Sequence, residues 1–136
     1  MVVVDDHAGF RAALKMALEA NGVRVVGSAD GGEAAIAMVG ELEPDVVVMD
    51  LAMPGMNGVQ ATRAIVARPR PPAVIALSGS RELMREAVAA GARLTVLKDA
   101  DPLQLISAVR SVAGSDNSES RPMGVTSEAK LASNDE

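Results

Sequence analysis

Two short, wholly apolar runs in this chain end on acids: Met1–Val4 runs into Asp5-Asp6, and Val46–Met49 runs into Asp50. A strand that is apolar on both faces has no solvated side, so it belongs to the interior of a parallel sheet covered by helices above and below. Polar groups on such a strand are tolerated where it emerges at its C-terminal edge, and a ligand site in an open α/β sheet belongs at that same edge. The strand-end residues Asp5, Asp6, Asp50, Ser78 and Lys98 are therefore the candidates for function.

The remaining pattern repeats the same unit. A helix is predicted over Ala8–Ala20, with Phe10, Leu14, Ala17 and Leu18 at helical spacing, and Asn21-Gly22 stops it. A strand over Val23–Gly27 follows, then a helix from Gly32 carrying Ala35, Met38, Val39 and Leu42 on one face. After the strand Asp45–Asp50, a helix capped by Asn57 is expected to Ala67, presenting Val59, Thr62, Arg63 and Val66 near one another. The last two units are the strand Ala73–Leu77 with the helix Arg81–Ala90, and the strand Leu94–Leu97 with a helix opened by Asp101-Pro102. That final helix keeps its period through Leu103, Ile106, Val109 and Ala113. Five strands alternating with five helices imply right-handed crossovers and one doubly wound α/β layer structure. From Gly114 the apolar period is lost, so residues 1–113 are expected to form the domain and 114–136 a disordered tail or linker.

Composition narrows the chemistry. Apolar residues make up 49% of 136 residues but aromatics only 1%, a lone Phe10, so the core is aliphatic and the eight methionines serve mainly as filler. Met53 and Met56 are expected to be exposed near a binding surface. A formal charge of -5 disfavours direct nucleic-acid binding. Without Cys, disulfide, thiol and Cys-zinc chemistry are excluded, and a single His makes no His-rich metal cluster. Apolar runs too short to span a bilayer and early acids unlike a signal peptide point to a cytoplasmic protein with no membrane partner.

Three carboxylates gathered at neighbouring strand ends repel one another unless a cation compensates them, and Mg2+ suits such a hard-oxygen set. An acid after a buried strand is also a common cap or solvated loop residue, but both Asp5-Asp6 and Asp50, joined by Lys98, weaken that reading. Ser78 can donate to a phosphoryl oxygen, although Ser before Gly is also an ordinary turn residue. His7 is read as a solvated or locally capping residue. Gly55 and Gly58 serve backbone geometry, since no Gly-Lys-Ser/Thr phosphate loop and no Gly-rich dinucleotide turn is present.

The stretches VVVDDH, VVVMDLAMPGMNG, ALSGS and AGARLTVLKDA resemble the receiver domains of bacterial two-component response regulators, especially those fused to LuxR-type helix-turn-helix domains. The likeness runs from residue 1 to about 113. The resemblance implies a flavodoxin-like five-stranded parallel sheet in the order 2-1-3-4-5. It also implies a phosphorylation switch rather than a conventional enzyme. Asp50 would be the phosphoacceptor, with Asp5, Asp6, Asp50 and the Ala52 carbonyl around Mg2+, Ser78 as the switch hydroxyl and Lys98 as the phosphoryl-pairing lysine. It further implies a sensor histidine kinase as donor, a homodimer as one output, and control of transcription through a fused or separate output domain, with no direct nucleic-acid contact by this chain. Thr95 and Leu94 depart from the family, because the aromatic usual three positions before the lysine is absent. That departure motivates the alternative of a phosphorylation-independent interaction module. A metal-assisted hydrolase using the same acids is a weaker alternative, lacking a substrate-binding candidate.

Overall fold

The computed structural model describes the backbone of residues 1–120 and the side chains of residues 1–113. Strands and helices alternate in chain order: β1 (Val2–Val4), α1 (Ala8–Ala20), β2 (Gly27–Ala29), α2 (Gly32–Leu42), β3 (Val46–Asp50), α3 (Gly58–Val66), β4 (Ala73–Ser78), α4 (Arg81–Ala90), β5 (Leu94–Leu97) and α5 (Pro102–Ser120). All strand pairs are parallel and the sheet order is β2-β1-β3-β4-β5, as the resemblance implied.

The strands β1, β3 and β4 are buried on both faces, and each face has its own core. Val47 and Met49 of β3 join Val39, Ile65 and Ala87 under α2, α3 and α4. Val46 and Val48 of the same strand join Leu14, Leu18, Ile106 and Val109 under α1 and α5. This is the period-two alternation of a central strand, with both sets apolar because neither face is wet.

The local signals set most boundaries. Asn57 and Gln60 form a reciprocal capping box at the start of α3, with Gln60 N donating to Asn57 Oδ1 at 2.9 Å and Asn57 N donating to Gln60 Oε1 at 3.0 Å. Ser80 Oγ accepts from Leu83 N at 3.2 Å to open α4, and Gly91 closes it with φ 117°, a left-handed conformation suited to glycine.

Several expectations need correction. The second strand is Gly27–Ala29 and not Val23–Gly27, because only those residues stand opposite Val2–Val4 of β1. Val23 is held by the end of α1 through a bond to Leu18 O, while Val26 N donates to Met1 O at 2.8 Å as a lead-in to the ladder. On α3 the buried side chains are Val59, Ala61, Thr62 and Ile65, and Arg63 is exposed. On α5 Leu103 is 63% exposed, and Leu105 and Val112 join Ile106 and Val109 in the core. Met53 is buried and Met56 half-buried, so neither presents an open apolar surface. The α5 backbone continues past the expected end at 113, and residues 121–136 of the expected tail lie outside the described residues.

Candidate functional site

The parallel order brings the C-terminal ends of β1, β3, β4 and β5 to one edge, and the expected residues meet there. Asp5 directly follows β1, Asp50 ends β3, Ser78 ends β4 and Lys98 directly follows β5. Asp5, Asp50 and Ser78 are buried, while Asp6 and Lys98 keep partial access to solvent. Gly79 is exposed, and apart from its chain neighbours no atom lies within 4 Å of where a Cβ would stand, so the approach beside Ser78 is open.

Lys98 Nζ sits 2.8 Å from Asp5 Oδ2 and 3.2 Å from Asp50 Oδ2. Its backbone N donates to Ser78 O at 3.0 Å, which fixes the start of the loop after β5. Burial raises the Asp50 pKa, the Asp5 charge raises it further, and the Lys98 hydrogen bond only partly opposes them. Burial works against the Lys98 ammonium, but its polar contacts with Asp5 and Asp50 outweigh that and leave its pKa raised. The Asp50 carboxylate is thus a desolvated acid held beside one shared cation.

The acids also fit a divalent ion. Asp5 Oδ2 and Asp6 Oδ1 are buried oxygens that accept no directed hydrogen bond, although Lys98 neighbours the first and His7 the second. One ligand atom each from Asp5, Asp6 and His7 lie within 4.8 Å of one another, so this acidic cluster can coordinate a divalent metal. Asp50 does not belong to that compact group: its Oδ2 faces Lys98 and its Oδ1 accepts a long 3.4 Å bond from Ala52 N. Ser78 is engaged locally, accepting from Ser80 N at 2.9 Å and donating to Ser80 O at 3.3 Å.

Three neighbours complete the site: His7, expected as a solvated or capped residue at the start of the first helix, and two whose contacts the sequence did not reveal, Arg11 and Phe10. His7 occupies the N-cap position of α1 but makes no side-chain capping bond; its Nδ1 lies 3.3 Å from both Asp5 Oδ1 and Asp6 Oδ1. Arg11 donates to Asp5 O at 2.7 Å. The Phe10 ring stands 4.8 Å from Lys98 Nζ, a cation–π contact. Its only advance signal was that the chain's single aromatic falls one helical turn after the paired acids.

The loop after β3 is shaped by a close approach. A Cβ on Gly58 would overlap Asp50 O and stand 2.6 Å from Leu51 Cα, while Gly58 N donates to Leu51 O at 3.0 Å. A side chain at this position would push the start of α3 away from Asp50.

Comparison with known proteins agrees with this geometry. The family model for the response regulator receiver domain matches residues 1–110. The transcriptional regulatory protein YdfI of Bacillus subtilis is 37% identical over 101 residues, covering 73% of this chain and 47% of YdfI. The chemotaxis protein CheY of Thermotoga maritima is 34% identical over 115 residues, covering 83% of this chain and 96% of CheY. A solved two-component response regulator of the LuxR family from Aurantimonas sp. SI85-9A1 superimposes with TM-score 0.78 at 32% identity, covering 83% of this chain and 84% of that one. The chain spans about half the length of YdfI and of several other curated regulators it resembles. With the fold, the strand-end acids and the family match in agreement, the chain belongs to the response regulator receiver family, the phosphoacceptor switches of two-component signalling.

Proposed function

We propose that Asp50 accepts a phosphoryl group and that Mg2+ supports the transfer, held by Asp5, Asp6 and Asp50 with the Ala52 carbonyl. The observation that carries this reading is the shared Lys98 contact: a buried carboxylate at the end of β3 lies 3.2 Å from an ammonium with a second acid on the same cation. When bound, the divalent ion supplies neutralisation of phosphoryl oxygens as negative charge collects there. Lys98 pairs with one of those oxygens, and Asp50 supplies the attacking carboxylate oxygen. Ser78 must leave its bonds with Ser80 to donate to the phosphoryl group, which draws the loop before α4 inward. The donor is a phosphohistidine on a sensor kinase: its P–N bond breaks and the imidazole leaves as the Asp50 O–P bond forms, and water later hydrolyses the acyl phosphate slowly to inorganic phosphate and the free carboxylate.

In this reading residues 1–113 form the receiver and 114–136 a tail or linker. Output passes through α4, β5 and α5 to a second copy or to a fused or separate transcriptional output domain, in the cytoplasm. No helix among the described residues is long and apolar enough to cross a membrane. Direct contact with nucleic acid is left to that output domain.

The test is intact-protein mass after incubation with acetyl phosphate and Mg2+. Wild type should gain one phosphoryl mass and Asp50→Asn none; equal labelling of both would reject Asp50. A second reading, constitutive partner binding without phosphorylation, is favoured by Thr95, which stands half-buried in β5 opposite Ala76 where the family aromatic would be. Partner binding that appears only after modification of Asp50 would reject it.

A further inference from the structure

At the end of the sheet opposite the acids, where β3, β4 and β5 begin, lies a second cleft of about 470 Å³. Arg68 and Arg70 reach it from the link between α3 and β4, Arg93 from the link between α4 and β5, and Glu43 and Asp45 from the link between α2 and β3. The mechanism of phosphoryl acceptance uses none of them.

Three features of this cleft coincide. Its three arginines make no ion pair and donate no side-chain hydrogen bond to a described residue, although two acids line the same space. Arg68 is seated against α2 at Gly40, where a Cβ would stand 3.4 to 3.6 Å from its guanidinium, so that group rests on bare backbone. The two non-glycine residues with left-handed backbone among the described residues, Glu43 at φ 48° and Arg70 at φ 51°, both line this cleft. Glu43 takes this conformation as the left-handed C-cap that closes α2, whereas Arg70 holds it within the link, between Pro69 and Pro71, where no helix ends.

The walls are also stiff. Pro69, Pro71 and Pro72 fix φ along the segment that carries Arg68 and Arg70. Ala73 N donates to Asp45 O at 2.9 Å, and Arg93 N donates to Val74 O at 2.8 Å, so all three contributing links are tied to strand starts. A cleft set before its ligand arrives loses less entropy on binding.

We propose that this cleft binds a small hydroxyl-rich phosphomonoester, such as a sugar phosphate. Guanidinium groups match phosphate oxygens in pairs, and these three arginines are exposed, with no protein partner to displace. Glu43 and Asp45 oppose a ligand that is anionic along its whole length, such as an acidic peptide or a nucleic-acid backbone, and accept hydrogen bonds from hydroxyls. The volume is within the range of small-molecule sites.

The proposal is tested by amide NMR titration of the full chain, without divalent ion, using ribose 5-phosphate, ribose and inorganic phosphate as probes. Ribose 5-phosphate should give saturable shifts at residues 68–73 and Arg93. Arg68→Gln and Arg93→Gln should each weaken its binding at least about tenfold, the loss of one charge-assisted pair. Asp45→Asn should tighten inorganic phosphate, by taking a like charge out of the cleft, and lower the preference for ribose 5-phosphate over inorganic phosphate. Absence of shifts at millimolar probe, shifts confined to Asp5, Asp50 and Lys98, or insensitivity to both arginine variants would overturn the proposal. Tighter binding of an acidic peptide would overturn it as well. Each variant lies away from Asp50, so acetyl phosphate labelling reports separately on the phosphoacceptor.

Discussion

The Lys98 ammonium lies closer to Asp5 than to Asp50, at 2.8 Å against 3.2 Å, so one cation is divided between two buried acids. Removing it leaves both carboxylates desolvated and facing each other. Lys98→Met should destabilise the protein by about 2 kcal/mol in urea unfolding without divalent ion, less than for a fully buried pair because Lys98 keeps partial contact with water. Millimolar Mg2+ should recover much of that loss, since a bound cation takes over the counter-charge. A loss that Mg2+ leaves untouched would show that Lys98 acts through packing alone.

The raised pKa of Asp50 has a definite sign in stability. The folded state holds this proton more tightly than the unfolded chain, whose ordinary value is 3.8, so the group favours folding at acid pH. Its contribution is full below 3.8 and is lost as pH rises through the raised folded value. In metal-free urea titrations, Asp50→Asn should therefore gain on wild type as pH increases. Parallel curves for the two proteins would contradict the burial-driven shift. Lys98 acts at the alkaline end: its contribution is full below 10.5 and fades as pH passes its raised folded value.

Thr62 is wholly buried on α3, and its hydroxyl has no hydrogen-bond partner. Thr62→Val keeps the branched shape and removes the stranded polar atom. An increase in stability of about 1 kcal/mol is expected, measured as a higher urea midpoint at unchanged slope. A decrease would place a water or other partner at that hydroxyl.

Gly58→Ala meets the backbone of Asp50 and Leu51. A loss of about 2 kcal/mol or more is expected from the forced shift of α3. Acetyl phosphate labelling at a temperature where the variant is folded should also slow, because the same shift moves Asp50. Labelling at the wild-type rate would show that the loop yields without disturbing the acid.

The repeating unit was legible because the strands other than β2 are short, largely apolar and bounded by their own punctuation. Asn21-Gly22, Asn57, Ser80 and Gly91 act within one turn of their positions, so α1 and α4 fell where their residues placed them. β2 was misplaced because valine preference is local whereas pairing is not: Gly27–Ala29 form the ladder by facing β1, despite carrying no β-branched residue. Leu103 and Arg63 sit at helical spacing yet face water, since a period alone does not say how wide the covered stripe is. The placement of Asp5, Asp6, Asp50, Ser78 and Lys98 at or just past strand ends was readable, but the preference of Lys98 for Asp5 was not. Two residues so far apart in sequence meet only through the order of the strands. The arginine cleft was hidden for the same reason, being assembled from three separate links.

β3 is clamped from both sides, with alternate side chains locked into separate aliphatic layers. A close-packed strand of this kind has no slack to absorb a push on its last residue. Load applied to Asp50 along the strand axis therefore strains the layer under α1 and α5 together with the layer under α2, α3 and α4, and probes placed on either side of the sheet should register the same event at the same time.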